Sequence, residues 1–122
     1  MRLRPAQRLR RNADFRAVRE QGRRLDCGAF LLTWRVRPAD EATPAARVGV
    51  VASRAAVGEA VDRNRAKRRL REVYRRRQSL VPPSLDLVLT ARKALLNLEF
   101  AEVDLKFAAA CQRLAASLPP HA

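Results

Sequence analysis

One strongly basic stretch, VDRNRAKRRLREVYRRR at residues 61–77, does most to limit what this chain can fold into. It holds nine Lys and Arg residues and only two acids. With Leu70 at the centre of a helical face, Ala66, Val73 and Tyr74 fall within about 60° of it. The stretch therefore predicts a helix that buries one narrow apolar seam and exposes a broad cationic surface.

The bounds of this helix also follow from the sequence. It is predicted to begin between Glu59 and Asp62 and to run to about Gln78, because the prolines of the VPP stretch at 81–83 stop a helix. The one acid on the cationic side, Glu72, is expected to hold a neighbouring arginine at i±4 spacing. The two candidates are Arg68 and Arg76.

The positive charge of the chain is concentrated in two segments. The 122 residues carry a formal net charge of +14. Residues 1–24 hold nine Arg and two acids, so they contribute +7; residues 61–77 contribute another +7, and eight basic and eight acidic residues elsewhere cancel. Two such blocks indicate faces that bind a polyanion such as RNA, DNA or an acidic membrane surface. Arginine predominates, and its planar guanidinium fits phosphate oxygens in pairs.

The rest of the sequence predicts an α+β fold in one domain, 1–122, with the order α-β-β-β-α-β-α. Asn12 is a plausible N-cap of the first helix and Gly22 its stop. The two strands before the basic helix are expected to pair as a hairpin, and the strand–helix–strand order over 47–91 predicts a parallel pair. The predicted elements, judged from alternation and apolar stripes, are a short helix within 11–24, an edge strand near 24–27, strands at 30–37, 47–53 and 85–91, the basic helix at about 59–78 and a helix at 99–118.

Residue types that carry catalysis or bind metal are sparse. Cys27 and Cys111 have no zinc-ligand spacing and are expected to be small buried thiols. The single histidine is His121, and no carboxylates converge as a two-metal nuclease requires. No apolar run approaches the ~20 residues that span a bilayer, so the chain is expected to be cytoplasmic, without a membrane partner.

Four blocks of sequence together carry a specific resemblance. Within the basic helix, R-N-R is followed after one residue by K-R and, two residues later, by R-E. The other blocks are RLRRNADF at 8–15, RVGVVASR at 47–54 and LDLVLTARK at 85–93. With these motifs in this order, the sequence resembles the protein subunit of bacterial ribonuclease P.

The resemblance implies both a fold and a function. The fold would be a two-layer α/β sandwich with a left-handed β-α-β crossover, as in a ribosomal-protein domain. The protein would bind the catalytic RNA and the 5′ leader of precursor tRNA, and so assist removal of the leader by an endonucleolytic cut. The RNA would catalyse this step with Mg²⁺ that it binds mainly itself, and no catalytic residue is expected in this chain.

The resemblance also implies two sets of binding residues. The set expected to contact the catalytic RNA is Arg54, Arg63, Asn64, Arg65, Lys67, Arg68, Arg71 and Arg75. The set expected to hold the leader, in a cleft between the first helix and the sheet, is Arg8, Arg10, Arg11, Phe15, Arg16, Arg19, Phe30 and Thr33. Aromatic faces beside cations suit unstacked bases. The two phenylalanines are equally interpretable as core residues.

Three positions depart from the family pattern. Arg19 stands where a second aromatic residue is frequent, Thr33 where a tyrosine is common, and Arg54 followed by Ala55 where two lysines are often found. Leader binding is therefore expected to depend more on charge and less on stacking.

Two other functions remain open from the sequence alone. A ribosomal protein or general RNA chaperone would use the basic helix equally well, but it would not need a leader cleft. A DNA-binding protein would place the helix in the major groove. However, Asn64 is nearly its only base-reading residue and no dimerisation element follows it, so no DNA partner is expected.

Overall fold

A computed structural model of the chain describes residues 8–38 and 45–118. The first residues of the basic N-terminal segment, most of the predicted loop at 38–46 and His121 lie outside these ranges. The helices and strands are α1 (Asn12–Gln21), β1 (Arg23–Asp26), β2 (Phe30–Val36), β3 (Arg47–Val51), α2 (Arg54–Val57), α3 (Ala60–Arg77), β4 (Leu85–Ala91) and α4 (Phe100–Ala116), with 3-10 turns at Gln78–Leu80 and Lys93–Asn97. The predicted order of helices and strands is confirmed, and α2 is an addition to it.

The four strands form one sheet in the order β1-β2-β4-β3. The predicted pairing of β2 with β3 is wrong, because β4 lies between them, antiparallel to β2 and parallel to β3. β4 is buried at six of its seven positions, and such an apolar strand is most stable in the middle of a sheet. The predicted parallel pair joined by the basic helix is confirmed, and the left-handed sense of this crossover stays a prediction.

The main core lies between one face of the sheet and helices α3 and α4. Alternate residues of β2, among them Phe30 and Leu32, share this face with Leu87 of β4. Their partners include Tyr74 of α3 and Phe107 of α4, whose ring centroids are 6.3 Å apart. The apolar seam predicted for α3 is thereby confirmed.

Helix α1 covers part of the opposite face. Val18 is fully buried there and packs against Val88 of β4 and Leu9. Gly22 ends α1 as predicted, but with extended backbone. A Cβ at Gly22 would lie 2.3 Å from the carbonyl oxygen of Val18, so the close approach of backbone requires glycine. The predicted N-cap, Asn12, is instead the first helical residue.

Helix α3 has the predicted bounds. Glu59 is its N-cap and Ala60 its first residue. Its buried residues are the predicted seam: Ala66, Leu70, Val73 and Tyr74. The seam is narrow, so the rest of the helix surface carries the charge.

A buried carboxylate joins three strands at one end of the sheet. Asp86 of β4 is fully buried and lies directly between Arg35 of β2 and Arg47 of β3. Arg47 donates to both of its oxygens at 2.8 and 2.9 Å. Arg35 donates at 3.1 Å and Arg37 at 2.7 Å. Burial would raise the pKa of Asp86, but hydrogen bonds from Arg47 and Arg37 outweigh it and hold the pKa below its usual value.

Candidate RNA-binding surfaces

Two arginines of α3 form hydrogen bonds within the protein that hold the helix in place. Arg69 donates to the carbonyl oxygens of Leu95 at 3.2 Å and Leu98 at 2.6 Å, which lie just before α4. Arg77 makes two hydrogen bonds to the carboxylate of Asp104 on α4, at 2.9 and 2.7 Å. Both side chains therefore fasten α3 to the segment that follows β4.

Glu72 is paired, although with a different arginine from those predicted. It accepts two hydrogen bonds from Arg75, three residues later, instead of contacting Arg68 or Arg76 at i±4. The hydrogen bond from Arg75 lowers the pKa of Glu72. Arg76 instead stacks over the ring of Phe100, with its guanidinium carbon 5.3 Å from the ring centroid. Of the predicted RNA-binding residues, Arg75 is thus already neutralised in part.

The remaining cations of α3, together with Asn64, form what we call the cationic surface of α3. Arg65 is 46% exposed and lies 3.9 Å from Asp62, and Asn64 beside it is exposed. The other cations of this surface, which are Arg63, Lys67, Arg68 and Arg71, have no acidic partner within residues 8–38 and 45–118. The surface consists of Arg63, Asn64, Arg65, Lys67, Arg68 and Arg71. Seven of the eight residues predicted to contact RNA lie on α3, and six of them make up this surface.

The N-terminal segment adds Arg8 to this surface. Arg8 forms a parallel bridge with Val48, at the outer edge of β3. Its neighbour Leu9 packs on the α1 face of the sheet, so alternation directs Arg8 to the face that holds α3. Burial and the charge of Arg8 both lower the pKa of Arg71. The buried Nε of Arg8 has no hydrogen-bond partner in the described chain.

The predicted cleft between α1 and the sheet exists. It has a volume of about 260 Å³. Its lining residues are Phe15, Val18 and Arg19 of α1, Arg24 of β1, Leu31 and Thr33 of β2, Val51 of β3, and Val88 and Thr90 of β4. Among the predicted leader residues, Phe15, Arg19 and Thr33 line it.

The other predicted leader residues lie elsewhere. Phe30 is fully buried on the opposite face of the sheet, where its ring centroid is 6.5 Å from that of Phe107. It is a core residue, and its place in the predicted leader set is wrong. Arg10, Arg11 and Arg16 are exposed on or just before α1 and do not line the cleft.

Phe15 forms a wall of the cleft because of a glycine. A Cβ on Gly49 of β3 would lie 2.4 Å from Cε1 of Phe15. The ring therefore rests on the bare backbone of β3. It also packs on the small cluster of Leu9, Val18 and Val88, so Phe15 is partly core and partly cleft.

Arg24 is a cleft residue that sequence reasoning missed. It lies directly across from Thr33 in the β1–β2 pair. The alternation of β2 identified the face of Thr33, but the register that brings Arg24 opposite it becomes visible only in the sheet.

Arg54, from the predicted RNA-contacting set, is exposed at the first position of α2. Ser53 caps this helix by accepting a hydrogen bond from the amide of Ala56 at 3.1 Å.

The side chains that could bind a metal ion or act as nucleophiles are mostly paired or buried among the described residues. Within the described ranges, no three His, Cys, Asp or Glu side chains gather where a metal ion could be held. Both cysteines are free thiols, and burial raises the pKa of Cys111 to about 12. None of the helices that the structure describes is long and apolar enough to span a membrane.

Together, the fold and these surfaces define a small α+β protein with one cationic helix surface and a separate basic cleft. A family model described as ribonuclease P matches residues 3–115, and the chain belongs to this family. A ribonuclease P protein component of Desulfovibrio desulfuricans is 39% identical over 92% of this chain and 85% of its own length. One of Acidothermus cellulolyticus is 37% identical over 82% and 81%.

Solved structures agree with this assignment. The ribonuclease P protein from Thermotoga maritima superimposes with a TM-score of 0.74 and 29% identity, covering 87% of this chain and 96% of its own. The ribonuclease P protein from Staphylococcus aureus has a TM-score of 0.73 and covers 89% and 94%. At 22% identity, the second match supports the fold alone.

Proposed function

We propose that this chain is the protein subunit of a ribonuclease P holoenzyme and binds its catalytic RNA through the cationic surface of α3. The observation that carries this proposal is the group of unneutralised cations on that helix, in a member of this family. Like charges held together on a rigid helix repel one another, and the phosphates of an RNA relieve that repulsion. Arg8 beside Arg71 extends the same surface to the N-terminal segment.

The cleft under α1 is the proposed site of the 5′ leader of precursor tRNA. It is lined by one aromatic face, Phe15, and by the guanidinium groups of Arg19 and Arg24. Single-stranded nucleic acid is held in this way, by stacking on aromatic rings and by cations along the backbone. The cleft lies on the opposite face of the sheet from α3, so both RNAs can be bound at once.

The cleavage chemistry is assigned to the RNA. The protein would neutralise phosphate charge and position the substrate, while Mg²⁺ held mainly by RNA would activate the attacking water. In support, four carboxylates among the described residues accept hydrogen bonds from arginines. These are Asp26, Glu72, Asp86 and Asp104.

Reconstitution tests the proposal. The purified chain, ribonuclease P RNA transcribed from the same genome and Mg²⁺ are incubated with end-labelled precursor tRNA. We expect a cut at the 5′ end of the mature sequence, faster than with the RNA alone and absent with the protein alone. Comparable cleavage by the protein alone would show that it contains a catalytic site. If the protein binds ribosomal RNA equally well and gives no stimulation, a ribosomal or chaperone role is correct instead.

A further inference from the structure

A second groove lies along α3, where this helix meets the start of α4. Its volume is about 280 Å³. It is lined by Arg65, Arg68, Arg69 and Glu72 of α3 and by Phe100, the first residue of α4. We call it the α3–α4 groove. Because α3 and α4 pack on the same face of the sheet, it is separate from the cleft under α1.

The aromatic floor of this groove is held in a fixed position. Phe100 is partly buried, and its inner part packs on the main core. Arg69 donates to the carbonyl oxygens of Leu95 and Leu98, and so fixes the backbone that leads into Phe100. The guanidinium of Arg76 lies 5.3 Å from the ring centroid. The ring is thus held in a fixed position. A base that stacks on it takes the place of the Arg76 guanidinium, which is exposed and can move aside to contact a phosphate.

The charge of the groove favours an anion beside that ring. Its one carboxylate, Glu72, is already paired with Arg75. Arg68 has no acidic partner among the residues the structure describes, and Arg65 has only the 3.9 Å approach to Asp62. Arg69 adds a third positive charge, although its donors are partly occupied.

We propose that the α3–α4 groove binds one unpaired nucleotide of the catalytic RNA. Its base stacks on Phe100, and its phosphate contacts Arg65 and Arg68. Only an unstacked base exposes a free ring face, so a continuous duplex can contact the arginines but cannot reach the ring. This inference rests on the proposed function, because it names how one part of the RNA is bound.

The test separates stacking from charge by substitution at Phe100. Phe100→Leu keeps apolar bulk and removes the aromatic face, whereas Phe100→Tyr keeps the ring. The dissociation constant for the transcribed ribonuclease P RNA should rise about 5- to 100-fold for Phe100→Leu, the usual effect of losing one base–aromatic contact. It should stay near wild type for Phe100→Tyr. The matched control is Leu105→Ala, an apolar side chain of α4 that is 65% exposed and outside the groove.

A fluorescence measurement reports stacking directly. Phe100→Trp places an indole in the groove, and the native Trp34 is buried, with 5% exposure, and serves as the background signal. Adding the RNA should quench the fluorescence of the new indole and leave wild type unchanged. This readout decides the case even if Phe100→Leu lowers the melting temperature.

The possible failures are distinguishable. If Phe100→Leu binds the RNA like wild type at an unchanged melting temperature, or if RNA leaves the new indole unquenched, the nucleotide site is refuted. The cationic surface would then contact phosphates alone. If wild type itself fails to bind the RNA, the proposed function is wrong and the inference falls with it.

Discussion

At the scale of single residues, the cleft depends on the absence of one side chain. Gly49 lies in the middle of β3, where any Cβ would overlap the ring of Phe15. An ordinary strand residue at this position would raise strand propensity. It would also push the ring away from the sheet, so Gly49 determines where Phe15 stands.

Gly49→Ala should therefore displace Phe15 and weaken leader binding. Overpacking of this kind costs about 1–3 kcal/mol of stability, and the preference of the holoenzyme for precursor over mature tRNA should shrink. Competition between the two tRNAs measures it. Combining Gly49→Ala with Phe15→Leu should cost less stability than the sum of the single changes, because the shorter side chain relieves the overlap. Strict additivity would show that the two residues do not touch.

The buried Asp86 makes folding stability depend on pH. Its pKa is depressed in the fold, so its ion pairs contribute stability above its unfolded-state pKa of about 3.9. This contribution is lost as pH falls through the folded-state pKa. Asp86→Asn should cost about 3–5 kcal/mol of unfolding free energy at pH 7, because it removes the buried negative charge to which several guanidinium groups donate.

Urea unfolding at pH 7 and at pH 3 measures this effect, and the difference between wild type and Asp86→Asn should narrow at the lower pH. The matched control is Asp26→Asn, which breaks an exposed pair with Arg92 and should change little. An unchanged difference at both pH values would mean that Asp86 acts through packing and not through its charge.

At the scale of elements, α3 divides its basic residues between two tasks. Arg69 and Arg77 bind groups on the segment after β4 and hold the helix in place. Within the described chain, the cationic surface of α3, which includes Arg71, has no acidic partner except Asp62, which lies 3.9 Å from Arg65. One helix thus contains both the arginines that hold it in place and the cations that we propose contact RNA.

This division predicts that replacing an arginine by alanine affects RNA binding at one position and folding stability at another. Arg71→Ala should weaken binding to the catalytic RNA by about 1–3 kcal/mol, as expected for a charge-assisted contact, with an unchanged melting temperature. Arg77→Ala should lower the melting temperature, because Asp104 is only 7% exposed and loses its partner, while RNA affinity changes less. Titration with RNA and thermal unfolding monitored by circular dichroism measure the two effects. Equal losses of RNA affinity would show that net charge alone governs binding.

At the scale of the whole molecule, the described arginines of the two basic blocks lie on both faces of one sheet. The cationic surface of α3 and Arg8 lie on one face, and α1 with its exposed arginines lies on the other. The sheet therefore separates the proposed site for the catalytic RNA from the proposed site for the leader.

Binding of the catalytic RNA should accordingly depend steeply on salt. Each neutralised phosphate releases counterions, so log K falls with log salt at roughly −0.7 to −0.9 per contact. With several contacts on α3, we expect a slope steeper than about −3. Equilibrium binding at a series of KCl concentrations measures it. A nearly flat dependence would contradict the electrostatic interpretation of both blocks.

The sequence by itself determined the features that depend on neighbours along the chain. Helical and strand periodicity predicted the seam of α3 and the two faces of β2. The prolines after α3 predicted its end, and residue counts located the positive charge. Alternation also placed Phe30 on the face of Leu32, opposite Thr33, so its assignment to the cleft neglected a signal that was present.

Only the tertiary structure decided the features that depend on distant partners. β4 enters between β2 and β3 because its burial requires a neighbour on each side, and no local pattern specifies which strands those are. Arg35 and Asp86 are 51 positions apart, yet their pairing neutralises a buried charge. Which arginines remain free for RNA depends on such long-range pairs, because a charge pattern counts cations without showing which of them the fold has already neutralised.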